Sequence, residues 1–226
     1  GVRVDHPDGL TDPFGYLTRL RELIGPDTWL IVEKILGVDE PLDPRLNVDG
    51  TTGYDALREF DGVFVNANAA GALGELAREY SGSTWDADAV AAAEWELKAR
   101  IANEELAPEV RRLARSVRRD NQATSPATSD VTDAELTEVL VALVARMPVY
   151  RADYRCLSRV TPTLIAQLAE LGHNPAALDL TAAALATSGE ASHRFAQVCG
   201  AVMAKGVEDT LFYRACRLVA LQEVGG

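Results

Sequence analysis

The chain has 226 residues, with 22 Lys plus Arg against 34 Asp plus Glu and a formal charge of −12. An apolar share of 47% supplies a core and excludes a wholly disordered chain, and no apolar run is long enough to predict a membrane-spanning helix. The excess of acid repels phosphate backbones, so nucleic acid is not an expected partner.

Val2 and Val4 alternate with Arg3 and Asp5, which predicts a strand opening at the first residue. A strand at one end and Gly225-Gly226 at the other lead us to expect a segment of a longer protein. Asp12-Pro13 gives a helix start and Gly25-Pro26 a stop; between them Phe14, Leu17, Leu20, Leu23 and Ile24 recur at helical spacing. The nearly unbroken apolar run Trp29–Ile35 predicts a parallel strand buried on both faces. Strand, helix and strand make a βαβ unit. Gly62–Asn66 is a weaker third strand candidate, or the start of a loop.

From about residue 69 alanine becomes abundant and helical periodicity takes over. Helices are predicted near 69–80, 86–107, 108–118, 132–146, 161–171, 176–187, 190–204 and 208–222, with Pro108 breaking the chain at Ala107. Asp130 or Thr132 is the expected cap after a polar linker, Asn121–Ser129. The expected fold is thus α/β and mainly α: a partial (β/α)8 barrel over 1–66, a helical subdomain over 67–204, and a helix returning to the barrel over 205–226.

Cys156, Cys199 and Cys216 are an odd number without CxxC spacing; packed free thiols and a cytoplasmic location are expected. His173 and His193 lack partners at metal spacing, so no metal is expected. The one basic cluster, Arg111, Arg112, Arg115, Arg118 and Arg119, falls in the last turns of a predicted helix, where cations offset the macrodipole.

The residues that carry chemistry are Asp5 and Glu33, one at the end of each predicted strand. Neighbouring strands lie about 4.8 Å apart, and a retaining glycosidase needs two carboxyl groups about 5–5.5 Å apart. Arg3 and Lys34 are expected to point largely away from them, although local twist can bring such residues back. Strand-end acids in a solvated loop are the plain alternative.

Gly1-Val2-Arg3-Val4-Asp5-His6-Pro7-Asp8-Gly9-Leu10 resembles the nucleophile strand of the α-amylase clan. Trp29-Leu30-Ile31-Val32-Glu33-Lys34-Ile35-Leu36 resembles its general-acid strand, in the variant form of the maltooligosyltrehalose synthase family. Asp49–Asp55 (DGTTGYD), Met203–Thr210 (MAKGVEDT) and Leu221–Gly226 (LQEVGG) look like the same family, so the resemblance spans the chain. It implies an intramolecular transglucosylase that turns the reducing-end α-1,4 bond of a maltooligosaccharide into an α,α-1,1 bond. Asp5 would be the nucleophile, Arg3 its charge partner and Glu33 the acid/base. No cofactor is implied, and the helical region would keep water from the cleft.

Arg3, His6, Asp8, Lys34, Tyr54, Lys205 and Glu208 complete the candidate substrate-binding set. Each has a plainer reading: Asp8 can shape the turn before Gly9, Tyr54 can sit in the core, and Lys205, Glu208 and Asp209 can simply open the last helix, the acids complementing its dipole. The family also requires a third carboxylate in a Thr-His-Asp motif and an upstream Asn-His motif, neither of which occurs here. The chain alone is therefore expected to be inactive and only marginally folded. An α-amylase-type hydrolase and a non-catalytic carbohydrate-binding fragment are the alternatives.

Overall fold

The structure is a computed structural model that describes residues 1–122 and 131–215. Cys216, Asp130, the Leu221–Gly226 stretch, most of the predicted linker and the end of the predicted last helix lie outside the described residues.

Three short strands, β1 (Val2–Val4), β2 (Leu30–Val32) and β3 (Gly50–Thr51), form a parallel sheet in that order. Val2 lies opposite Leu30 and Val4 opposite Val32, while Ile31 lies opposite Gly50. Helix α1 (Pro13–Ile24) joins β1 to β2. Its start follows the sequence signal: the Asp12 carboxylate accepts the Gly15 N–H, Pro13 fills the first position, and Gly25 ends the helix at φ 82°. Leu30 and Val32 are fully buried, but Trp29 is exposed, so the buried run is shorter than its apolar sequence.

The third strand is not where the apolar pattern places it. Gly62–Asn66 closes helix α2 (Tyr54–Gly62) and the turn beyond it, and the sheet is completed by Gly50–Thr51 instead. Asp49 secures that pairing. Its carboxylate accepts the Leu30 N–H at 2.6 Å and the Arg21 guanidinium at 2.9 Å, and its own N–H donates to the Leu30 carbonyl. The Leu30 N–H, then Arg21, hold the Asp49 carboxyl below its ordinary range. A lowered folded pKa adds stability above the ordinary value that disappears as pH falls through the folded one. Asp49→Asn is therefore expected to melt below wild type at neutral pH, the gap closing as pH falls below the ordinary carboxylate range. Thermal melts across that range check it; a gap that persists in acid contradicts the assignment.

The longer elements that follow are all helices: α3 (Ala70–Ser81), α4 (Ala87–Asn103), α5 (Ala107–Gln122), α6 (Asp133–Arg146), α7 (Val160–Glu170), α8 (Pro175–Leu185) and α9 (Glu190–Met203). Helix α4 stops at Asn103, and Pro108 stands in the first turn of α5, where its missing N–H leaves no bond unmade. Asn121 and Gln122 end α5 rather than beginning a linker. Thr132 is the cap of α6, in a reciprocal pair with Glu135.

Helix α6 is buried on every side from Val139 to Ala145, as a central helix should be. Helices α4, α5, α7, α8 and α9 pack against it. Leu17, Leu30, Val32 and Leu46 belong to the same apolar cluster as Leu113, Leu140 and Val202, so sheet and bundle share one core. Helix α9 runs without a break into a π-helical stretch, Ala204–Leu211, and on through Arg214. The expected boundary between residues 204 and 205 falls inside this continuous helix. Cys199 is buried as predicted, whereas Cys156 is exposed, corrected by its place in a short turn, Arg155–Leu157, rather than in a helix.

Candidate functional site

Asp5 and Glu33 immediately follow β1 and β2, whose register sets Val4 beside Val32. The Glu33 N–H donates to the Val4 carbonyl at 2.8 Å, and the His6 N–H donates to the Glu33 carboxylate at 3.2 Å. The two acids thus stand at the same end of adjacent strands. His6 reaches Glu33 because its backbone turns left-handed, at φ 44° and ψ 55°, a conformation uncommon outside glycine. Gly9 permits the turn: a Cβ there would lie 2.5 Å from the His6 ring.

Arg3 is corrected from facing away. It is two residues from Asp5 and therefore on the same strand face, and its guanidinium pairs with Asp5 at 2.5 Å. Both side chains are more than half exposed, so the pair orients the carboxylate more than it stabilises the fold.

Lys34 takes the opposite face, as expected of its neighbour position, but it is not open to a substrate. It is sealed in the interior with its Nζ 2.9 Å from Asp8 and 2.7 Å from Glu40. Asp8, also expected to touch sugar, is buried at 3% exposure and accepts the Tyr154 hydroxyl as well. Burial and the adjacent Asp8 carboxylate push the Tyr154 hydroxyl well above its ordinary range, so it stays a proton donor. Both substrate-binding expectations are corrected to internal roles, because charges this deep must pair with one another.

A second set of contacts holds the loop after Asp5 from the helical side. Arg151, 1% exposed, donates to the carbonyls of Asp8, Leu10 and Thr11, while Gln197 of α9 donates to the carbonyl of Gly9. Asp153 holds the Arg151 guanidinium through two bonds, at 2.7 and 2.8 Å. Sequence reasoning missed Glu40, Arg151, Tyr154 and Gln197. The only signal was a dense charged and aromatic run, Tyr150–Tyr154, between two helices.

His6, Asp8, Glu33, Ile35, Tyr150 and Ala204 line a small cleft of about 60 Å³. A larger groove of about 310 Å³ runs beside it, lined in part by Ile35, Tyr54, Val149, Val207 and Glu208. Tyr54 opens α2 and is half-buried in that groove, not in the core. Glu208 is buried at its wall; Lys205 is exposed, 3.6 Å from Glu105. These two lie in the π-helical stretch and not at a helix start, so the helix-dipole reading of Glu208 and Asp209 fails. The stretch is seated by Gly206, where a Cβ would come within 3.1 Å of the buried Lys98 stem.

No family model matches this sequence. The chain is 45% identical, along all of its length, to a provisionally named maltooligosyl trehalose synthase of Mycobacterium tuberculosis, of which it spans 28%. Its structure is similar to that of maltooligosyltrehalose synthase from Arthrobacter ramosus, with a TM-score of 0.82 and 37% identity, covering 99% of this chain and 28% of that one. A glycosyltrehalose synthase is similar at a TM-score of 0.68 and 26% identity, covering 94% of this chain and 25% of that one. Over its whole length, the chain is a relative of a segment of the maltooligosyltrehalose synthases.

Proposed function

We propose that this chain supplies part of the catalytic site of an intramolecular transglucosylase built on a (β/α)8 barrel, acting on maltooligosaccharides. Asp5 is the nucleophile and Glu33 the acid/base. The observation that carries the reading is the placement of these two acids at the same end of adjacent parallel strands, linked by the His6 N–H. The relationship to the synthases supports it.

In the first step an Asp5 oxygen attacks C1 of the penultimate sugar. The bond from C1 to the glycosidic oxygen breaks, and Glu33 gives that oxygen its proton. The product is a glycosyl ester on Asp5 and a glucose held in the site. After this glucose turns, Glu33, now a carboxylate, takes the proton from its anomeric hydroxyl. That oxygen attacks C1, the ester bond breaks, and an α,α-1,1 linkage remains. Arg3 orients the Asp5 carboxylate. His6, Tyr54 and Glu208 line the approach, Lys205 is a further sugar contact reached from the exposed side, and the helical bundle closes the site against water.

The test is incubation of the full-length protein that carries this segment with maltohexaose, following reducing ends and anomeric proton signals. Loss of reducing ends, with an α,α-1,1 signal and little glucose, is the expected result. A rise in reducing ends would make the enzyme a hydrolase on the same scaffold. No change in either would favour a carbohydrate-binding role.

A further inference from the structure

Resting on the reading of Asp5 and Glu33 as the catalytic pair, we propose that Tyr154 and Arg151 are positioning residues: they clamp the loop after Asp5 and so aim the His6 N–H at Glu33.

The loop His6–Thr11 carries no regular strand or α-helix to hold it, only one short 3-10 turn at Pro7–Gly9. Most of what holds it comes from the segment between α6 and α7 and from α9. The carbonyls of residues 8, 9, 10 and 11 each accept a hydrogen bond from a side chain there, Arg151 supplying three and Gln197 one. The side chain of Asp8 is gripped from two directions, by Lys34 following β2 and by the Tyr154 hydroxyl from the bundle side. Lys34 lies 5.2 Å from the centre of the Tyr154 ring, which adds to its fit.

Two residues before Asp8, His6 is held in the left-handed region, a conformation that persists only when its surroundings over-determine it. Its N–H is directed at Glu33. Asp5 precedes it directly. The clamp therefore acts on both carboxylates through one short piece of backbone, and neither Tyr154 nor Arg151 contacts either acid. A loosened clamp leaves the nucleophile and the acid/base present but imperfectly aligned, and small misplacements cost rate steeply. It also opens the wall of the cleft that His6, Asp8 and Tyr150 share, which admits water to the glycosyl ester.

The experiment uses Tyr154→Phe and Arg151→Gln in the full-length protein, with Arg151→Lys as the conservative variant and maltohexaose as substrate. For Tyr154→Phe, kcat is expected to fall about tenfold with KM changed less than about twofold. The ratio of glucose released to α,α-1,1 product is expected to rise severalfold. Arg151→Gln is expected to do the same more strongly, and Arg151→Lys to recover part of the loss. Misfolding lowers the amount of active enzyme but leaves the product ratio unchanged, so the ratio reports alignment. An unchanged kcat and product ratio in Tyr154→Phe and Arg151→Gln would overturn the proposal. If the wild type turns over no maltohexaose, by transfer or by hydrolysis, the reading of Asp5 and Glu33 fails instead. Amide exchange at Gly9 and Leu10 then decides the clamp: faster exchange in Tyr154→Phe supports it, and unchanged exchange rejects it.

Discussion

Replacing Lys34 by Met is expected to destabilise the protein by about 3–5 kcal/mol, the usual consequence of breaking a buried ion pair from one side. Lys34 is 1% exposed, and its ammonium is shared between Asp8 and Glu40, themselves almost wholly buried. Methionine matches the stem in shape, so little packing is lost. What remains are two carboxylates in the interior without their cation, and each must either protonate or draw in water. The Tyr154 hydroxyl and the Gly37 N–H still reach one carboxylate each, which lessens the penalty without cancelling it. For a chain of this size the loss amounts to a fall of about 10 °C in Tm. Adding Asp8→Asn and Glu40→Gln to Lys34→Met is expected to restore much of it, because the neutral groups no longer need a cation. Equal melting of wild type and Lys34→Met would mean that the cluster is open to solvent.

Glu33→Gln carries the second large effect, this time on turnover. An amide cannot give a proton to the leaving oxygen or take one from the incoming hydroxyl, so kcat with maltohexaose is expected to drop about 10²–10⁴-fold in the full-length protein. The fold should be indifferent. Glu33 is only partly buried, and its carboxylate accepts the His6 N–H, which the amide oxygen can still accept. A melt close to wild type alongside the lost turnover is the combined result expected. Turnover near wild type would remove Glu33 from the mechanism.

The parts of the fold that the sequence made legible are those set by local chemistry. Asp12, Pro13 and Gly25 bound α1 as their types require, and Thr132 with Glu135 marks the start of α6. Periodicity located α3 to α9 to within a few residues. The third strand escaped because Gly50–Thr51 has no apolar run; its place is set by Asp49 reaching across to Leu30, a contact no local pattern encodes. The apolar Val63, Phe64 and Val65 that suggested a strand are all exposed. The π-helical stretch has no sequence period to separate it from ordinary helix.

The candidate site divides in the same way. Asp5 and Glu33 could be placed because strand ends follow from strands, and strands from apolar runs. Alternation alone turns Arg3 away from Asp5, but residues two apart share a strand face, and the charge pairing that the family resemblance implies is the one seen. Asp8 and Lys34 look like substrate contacts in sequence because their partners lie elsewhere: Glu40 is in an irregular segment, and Tyr154 and Arg151 lie more than a hundred residues further along the chain. A charge burial of this kind is settled by tertiary packing, and nothing in the spacing of His6 to Leu10 announces it.

The assignment of Asp5 as nucleophile is tested most directly by trapping. Full-length Glu33→Gln protein would be mixed with α-maltotriosyl fluoride, whose fluoride leaves without a proton donor, then digested and mapped by mass spectrometry. With Asp5 able to attack and Glu33 unable to activate the acceptor, the peptide containing Asp5 should carry one maltotriosyl group. A label on another carboxylate, or an unlabelled Asp5 peptide while the fluoride is consumed, would contradict the account.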